Sequence, residues 1–160
     1  MALPPQIEAF WQAYLATRDN LPPPPLDPDP VWQFGNPEAA GRVGQLVNEG
    51  IKTTTSGLLW EMEHEGVQST QVRDHAIVAD GEKTPICIIE VTEVEIKPFN
   101  EVDEQFAYDY GEYGRTLAQW RVASWEYFSE VCVSIGREPS ETMPMVCQRF
   151  RRVYPKAQAH

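Results

Sequence analysis

The sequence is poor in the residues that hold metals or build covalent frameworks. Its three cysteines, Cys87, Cys132 and Cys147, are odd in number and far apart, with no Cys-x-x-Cys pair. They are expected to be reduced and buried, which suits a cytosolic compartment better than a secreted one. The three histidines, His64, His75 and His160, form neither an HExxH pattern nor a Cys/His pairing at ligand spacing. No metal or other cofactor is therefore expected. A signal-peptide-like start and an apolar run of about 18 residues are both missing, which argues against a membrane partner. Positive charge is scarce too: 13 Lys and Arg face 24 Asp and Glu, for a net charge of −11. Such a surface repels DNA and other long polyanions. It leaves room for a small nucleoside or a short single-stranded RNA, which stacking and hydrogen bonds can hold.

What is present is enough for one core. The chain has 160 residues, 42% of them apolar and 23% charged, within the range of a single globular domain. In "IEAFWQAYLATRDN", Ile7, Phe10, Trp11, Tyr14 and Leu15 fall at i, i+3, i+4, i+7 and i+8, one apolar stripe of a helix. "LPPPPLDPDP" follows, with six prolines in residues 21 to 30, and is expected to be an extended arm rather than helix or central strand. Residues 1–31 thus read as a helix and strap laid over a main domain at 32–154, with 155–160 a flexible tail.

A second helix is signalled by Asn36 as N-cap, Pro37 at the first helical position, Glu38 at the positive end of the dipole and Gly50 as the left-handed stop. Its apolar face is Ala39, Ala40, Val43, Leu46 and Val47. Strand-like patterning follows in "TTTSGLLW", "HAIVAD" and "PICIIEVTEVEI", the latter two joined as a hairpin through "ADGEK". "FNEVDEQFA" suggests a short helix. A longer one begins at Thr116, where Thr116 and Gln119 form a capping box, and carries Leu117, Trp120, Ala123, Tyr127, Phe128 and Val131 on one face. "PMVCQRFRRVY" reads as a closing strand, and its Arg149, Arg151 and Arg152 as a charged outer face. Short strands with helices at their ends predict a small curled or closed sheet in an α+β domain.

The blocks "WQFGNPEAAGRVGQLVNEGIKTTTS", "PICIIEVTEVEIKPFNEVDEQFA", "YGEYGRTLAQWR" and "VCQRFRRVY" together resemble the ASCH-domain family over about residues 31 to 154. The family's Gly-x-Lys-x-x-Thr mark is matched by Gly50, Lys52 and Thr55. Its Glu-Gly-Glu-Gly-like loop is matched by Gly111 and Glu112, with Tyr110 in place of the first Glu and Tyr113-Gly114 after the second. Where the long form often has His, this chain has Ser124. The resemblance implies a PUA-like β-barrel and one of three roles: RNA binding, ribonuclease action, or removal of the acyl group from N4-acylated cytidine. For the last it implies a catalytic set of Lys52, Thr55 and Glu112.

Amide hydrolysis needs a nucleophile, a base, an oxyanion donor and an acid for the leaving amine. Thr55 needs an activating base within reach. Lys52 can be that base only if burial lowers its pKa from about 10.4 by several units. An ionised Glu112 favours the ammonium instead, making Glu112 the base and Lys52 the electrostatic stabiliser, and the sequence leaves both assignments open. Phe34 and Trp60 are read as base-stacking or core residues, and Asp74, Arg121 and Ser124 complete the candidate substrate-binding set. A metal-independent amidohydrolase acting on N4-acylated cytosine or cytidine is the leading expectation, ahead of a ribonuclease on single-stranded RNA and a non-catalytic nucleotide-binding module.

Overall fold

A computed structural model describes residues 3–156. Helix α1 (Pro5–Ala16) starts at a proline, which lacks only an N–H that would be unpaired there. Its stripe of Ile7, Trp11 and Tyr14 is buried against Ile77 and Ile88 of the sheet. The proline segment stays extended to Pro25. It then becomes strand β1 (Leu26–Trp32), so the expected strap ends as an edge strand of the sheet itself. Proline is tolerated there because an edge strand needs only half its backbone groups paired.

Helix α2 (Pro37–Asn48) forms as its caps predict. The Asn36 side chain accepts from the Ala39 N–H at 2.8 Å, and Ala40, Val43 and Val47 are buried. Asn36→Ala should destabilise the fold by about 1 kcal/mol, read as a lower urea midpoint at unchanged slope. Strand β2 (Thr54–Leu58) is shorter than "TTTSGLLW" suggests. At Leu59 the chain turns into helix α3 (Leu59–Glu65), closed by Gly66 at φ 67°, so the last two residues of the expected strand, Leu59 and Trp60, are helical.

Strand β3 (His75–Ala79) and strand β4 (Pro85–Pro98) form the expected hairpin. Helix α4 (Glu104–Asp109) is capped by Asp103, and helix α5 (Leu117–Ser134) by Thr116. On α5, Trp120, Phe128 and Val131 are buried as expected, but Tyr127 is exposed. Strand β5 (Pro144–Tyr154) closes the chain. The expected tail lies, beyond Lys156, outside the described residues.

The five strands run in the order β1-β3-β4-β5-β2; β1 and β3 are parallel and the other pairs antiparallel. Strand β4 joins two ladders, pairing with β3 through its first half and with β5 over most of its length. The edge strands β1 and β2 are not hydrogen-bonded to each other, yet residues of both line one cleft. The sheet is thus curled into a half-barrel with an open seam. The three cysteines are free and buried, and no helix among the described residues is long and apolar enough to cross a membrane.

Candidate active site

The site is assembled where α2 ends. Gly50, at φ 79°, turns the chain so that the N–H groups of Ile51 and Lys52 both donate to the Leu46 carbonyl. This is the glycine stop that satisfies a helix's last carbonyls. Lys52 and Thr53 therefore lie in a corner, not in a strand, and strand alternation begins only at Thr54. The corner is clamped to α4: the Thr53 N–H donates to the Asp109 carbonyl at 2.7 Å, and the Thr54 hydroxyl to the Phe106 carbonyl at 3.0 Å.

That clamp sets the loop after α4 against Lys52. Gly111 has φ 73°, and a Cβ there would stand 2.9 Å from the Lys52 Cα and 3.0 Å from the Ile51 oxygen. Only glycine permits this approach, which delivers Glu112 to the lysine. The Lys52 side chain is fully buried, and its Nζ lies 2.8 Å from Glu112 Oε2. Nζ also donates to the Thr54 carbonyl at 2.8 Å and the Tyr110 carbonyl at 3.2 Å, and sits 3.5 Å from the Tyr110 ring centre. Three oxygens match the three N–H bonds of an ammonium. A neutral amine would have to turn its lone pair on one of them. Burial brings the Lys52 pKa down to about 8, with the Glu112 carboxylate pulling against that shift. The ammonium is thus the dominant form at neutral pH.

Thr55, Glu112, Phe34 and Ser124 line one cavity of about 240 Å³ beside this ion pair, together with Tyr110, Tyr113, Tyr127 and Phe128. Lys52 lies behind the wall and reaches the cavity through Glu112, whose side chain keeps 14% exposure. Phe34 stacks on Phe150, and its ring centre is 5.2 Å from the ammonium. Ser124 is buried one helical turn after Trp120 and faces the same way.

The structure does not bring Trp60, Asp74 or Arg121 to this cavity. Trp60 is on α3, not on a strand, and its ring packs on the core with the Arg137 guanidinium 4.5 Å above it. Asp74 closes a turn before β3 by accepting from the Gln71 N–H at 2.9 Å. Arg121 follows inward-facing Trp120 and so points outward, donating to the Asn100 carbonyl at 3.4 Å. Of the three C-terminal arginines expected on a charged outer face, Arg149 pairs with Asp109 and Arg151 with Glu90, while Arg152 instead donates to the Asn48 carbonyl and side-chain oxygens at the end of α2.

Two residues beside Thr55 carry chemistry that the sequence reading assigned elsewhere or passed over, Tyr110 in this cavity and Gln148 across the β2–β5 ladder. Tyr110, which stands in place of an acidic residue, has its phenol pKa raised by burial, so it keeps its proton; its hydroxyl lies 3.3 Å from Ser56 Oγ. Gln148 is paired in register with Thr55 across β2 and β5. Its signal was a lone amide inside "MVCQRF", where Met145, Val146 and Cys147 are all buried.

A half-barrel that buries an ammonium against a carboxylate, beside a hydroxyl and a ring-lined cavity, is a candidate site on an α+β domain. The chain belongs to the ASCH-domain family, whose model matches residues 30–154; the family is linked to RNA-binding and hydrolase activities. It is similar to the ASCH domain from Lactobacillus crispatus JV V101, with a TM-score of 0.87 and 26% identity over 95% of this chain and 96% of that one. It is also similar to a protein from Enterococcus faecalis V583, with a TM-score of 0.80 and 31% identity over 97% and 98% of the two chains. No curated protein sequence matches it.

Proposed function

We propose that the protein is an amidohydrolase that removes the acyl group from N4-acylated cytosine or cytidine. The observation that carries this reading is that Thr55 and Glu112 face one aromatic-lined cavity while Lys52 holds Glu112 from behind. With Oε2 on the ammonium, Glu112 keeps Oε1 for the cavity. That oxygen takes the proton of the Thr55 hydroxyl as Oγ1 attacks the acyl carbon. The protonated Tyr110 phenol donates to the oxyanion, and the buried ammonium stabilises the charge on Glu112. The C–N bond then breaks, N4 receives the proton from Glu112, and cytidine leaves. Water attacks the Thr55 ester, giving up its proton to Glu112. The proton returns to Thr55 as the carboxylic acid departs.

The planar base suits the rings of Phe34, Tyr113 and Tyr127, since base–aromatic stacking contributes about 1–3 kcal/mol per base. The net charge of −11 favours a nucleoside over a long RNA. Incubation with N4-acetylcytidine and, separately, with single-stranded RNA tests the reading. Cytidine and acetate are expected, and should persist in EDTA. Intact acetylcytidine beside a digested RNA would replace the reading with a ribonuclease.

The pH profile separates the two candidate bases. If Lys52 serves as an ammonium, kcat/KM should fall as pH rises through about 8, where Lys52 loses its proton, at up to about tenfold per unit. A rate that rises through the same pH would make neutral Lys52 the base.

A further inference from the structure

Two spaces meet at Thr55. The open seam between β1 and β2, with α3 beside it, forms a cleft of about 460 Å³ that Glu112 does not line. It shares Gln33, Phe34, Thr55 and Ser56 with the aromatic cavity, whereas Glu112 lines the cavity alone. An amide has two arms leaving its carbonyl carbon in different directions. In the amidohydrolase reading, on which this inference rests, the nitrogen arm lies toward Glu112, the group that must protonate it. The acyl arm is then directed into the seam.

The cleft has a chemistry of its own. Asp27, Asp29, Glu61 and Glu65 line it, and no Lys, Arg or His does. Burial raises the pKa of Asp27, Asp29 and Glu61, and each also feels another carboxylate: Asp74 for the first, Glu65 for the other two. Asp27 accepts from the Thr70 hydroxyl and the Asp29 N–H, and Lys83 offsets part of the charge on Asp29, but with no cation lining the cleft the four acids on low-dielectric walls concentrate a negative field. A second, independent feature points to a ligand. Gln148 also lines the cleft, directly across the β2–β5 ladder from Thr55, and only 5% of it is exposed. Its side-chain amide makes no hydrogen bond to a described residue; unlike the sealed Trp120 indole nitrogen, it opens into the cleft. A buried amide is rarely left without a partner, and a polar group on the acyl arm would supply one.

We propose that the seam cleft is the acyl subsite and that it selects acyl groups carrying a primary ammonium, with Gln148 hydrogen-bonded to the arm near its carbonyl and the four carboxylates receiving the charged end. The substrate class is then an N4-(aminoacyl)cytosine or its nucleoside.

The test compares three substrates on the whole chain: N4-acetylcytidine, N4-(6-aminohexanoyl)cytidine and N4-heptanoylcytidine. The last two have the same length and differ only in an ammonium against a methyl. The aminohexanoyl compound should have a kcat/KM at least about tenfold above the heptanoyl compound. That ratio should fall toward one in Glu61→Gln/Glu65→Gln, and also in the unaltered protein at 1 M salt, where the Debye length is about 3 Å. The salt arm keeps the test decisive if the double variant does not fold. Hydrolysis of both long chains at equal kcat/KM, or a preference that neither salt nor the variant reduces, would overturn the acyl subsite and leave the amidohydrolase standing. Failure of all three substrates would overturn the amidohydrolase reading, and the subsite with it.

Discussion

Lys52→Met is expected to lower the turnover of N4-acetylcytidine by at least about 10²-fold, the loss that follows removal of one acid/base or oxyanion group. Methionine keeps the long unbranched stem that fills the buried channel and deletes only the ammonium. Two carbonyls and one carboxylate lose their donor. Glu112, with 14% of its side chain exposed, can take up water, so the fold should survive and a normal urea transition is the control. Without its partner the carboxylate is no longer held toward Thr55. Thr55→Val, which removes the hydroxyl and keeps the branched shape, should cause a loss of similar size. The double variant should be little worse than the poorer single, because groups that act as a unit are not additive. Near-parental turnover in Lys52→Met would remove the mechanism.

The second large effect belongs to a residue with no functional group. Gly111→Ala should destabilise the protein by about 2–4 kcal/mol and reduce turnover sharply. A side chain at φ 73° is strained by about 1–2 kcal/mol. The added Cβ also meets backbone of Ile51 and Lys52 at 2.9–3.1 Å, and backbone cannot swing away as a side-chain tip can. Relief requires the Glu112 loop to move off the lysine corner. Gly136→Ala is the control: φ there is 75° but nothing stands within 4 Å, so only the strain component remains. It should cost about 1–2 kcal/mol and leave turnover unchanged. Equal losses of stability and activity in the two variants would show that the close approach contributes nothing.

Much of this was legible because its causes are local. Asn36, Pro37 and Gly50 define α2 by capping chemistry alone, and the corner that Gly50 makes is what frees Lys52 from strand alternation. Thr116 with Gln119 defines the start of α5 in the same way. Features set by distant neighbours were not. Seven residues of α3, begun without a side-chain cap, are too few to outweigh the strand signal of "TTTSGLLW". Pairing of a proline-rich segment with β3 depends on a partner more than 40 residues away, and nothing in "LDPDPVW" announces it. Tyr127 has the right period for the core but lies where the cavity opens. Gln148 acquires meaning only when the sheet curls and sets it across from Thr55.

The unclosed seam also bears on how this chain behaves in a crowd of its own copies. A half-barrel leaves two strand margins free, and free margins invite another chain to add a strand. Here one margin is β1, where Pro28 and Pro30 supply no N–H, so an incoming strand would find gaps in the ladder it tried to extend. The other is β2, five residues long and flanked at once by α3. The same residues that keep the gap from zipping shut therefore also discourage fibrous assembly, and a barrel can stay open without becoming sticky.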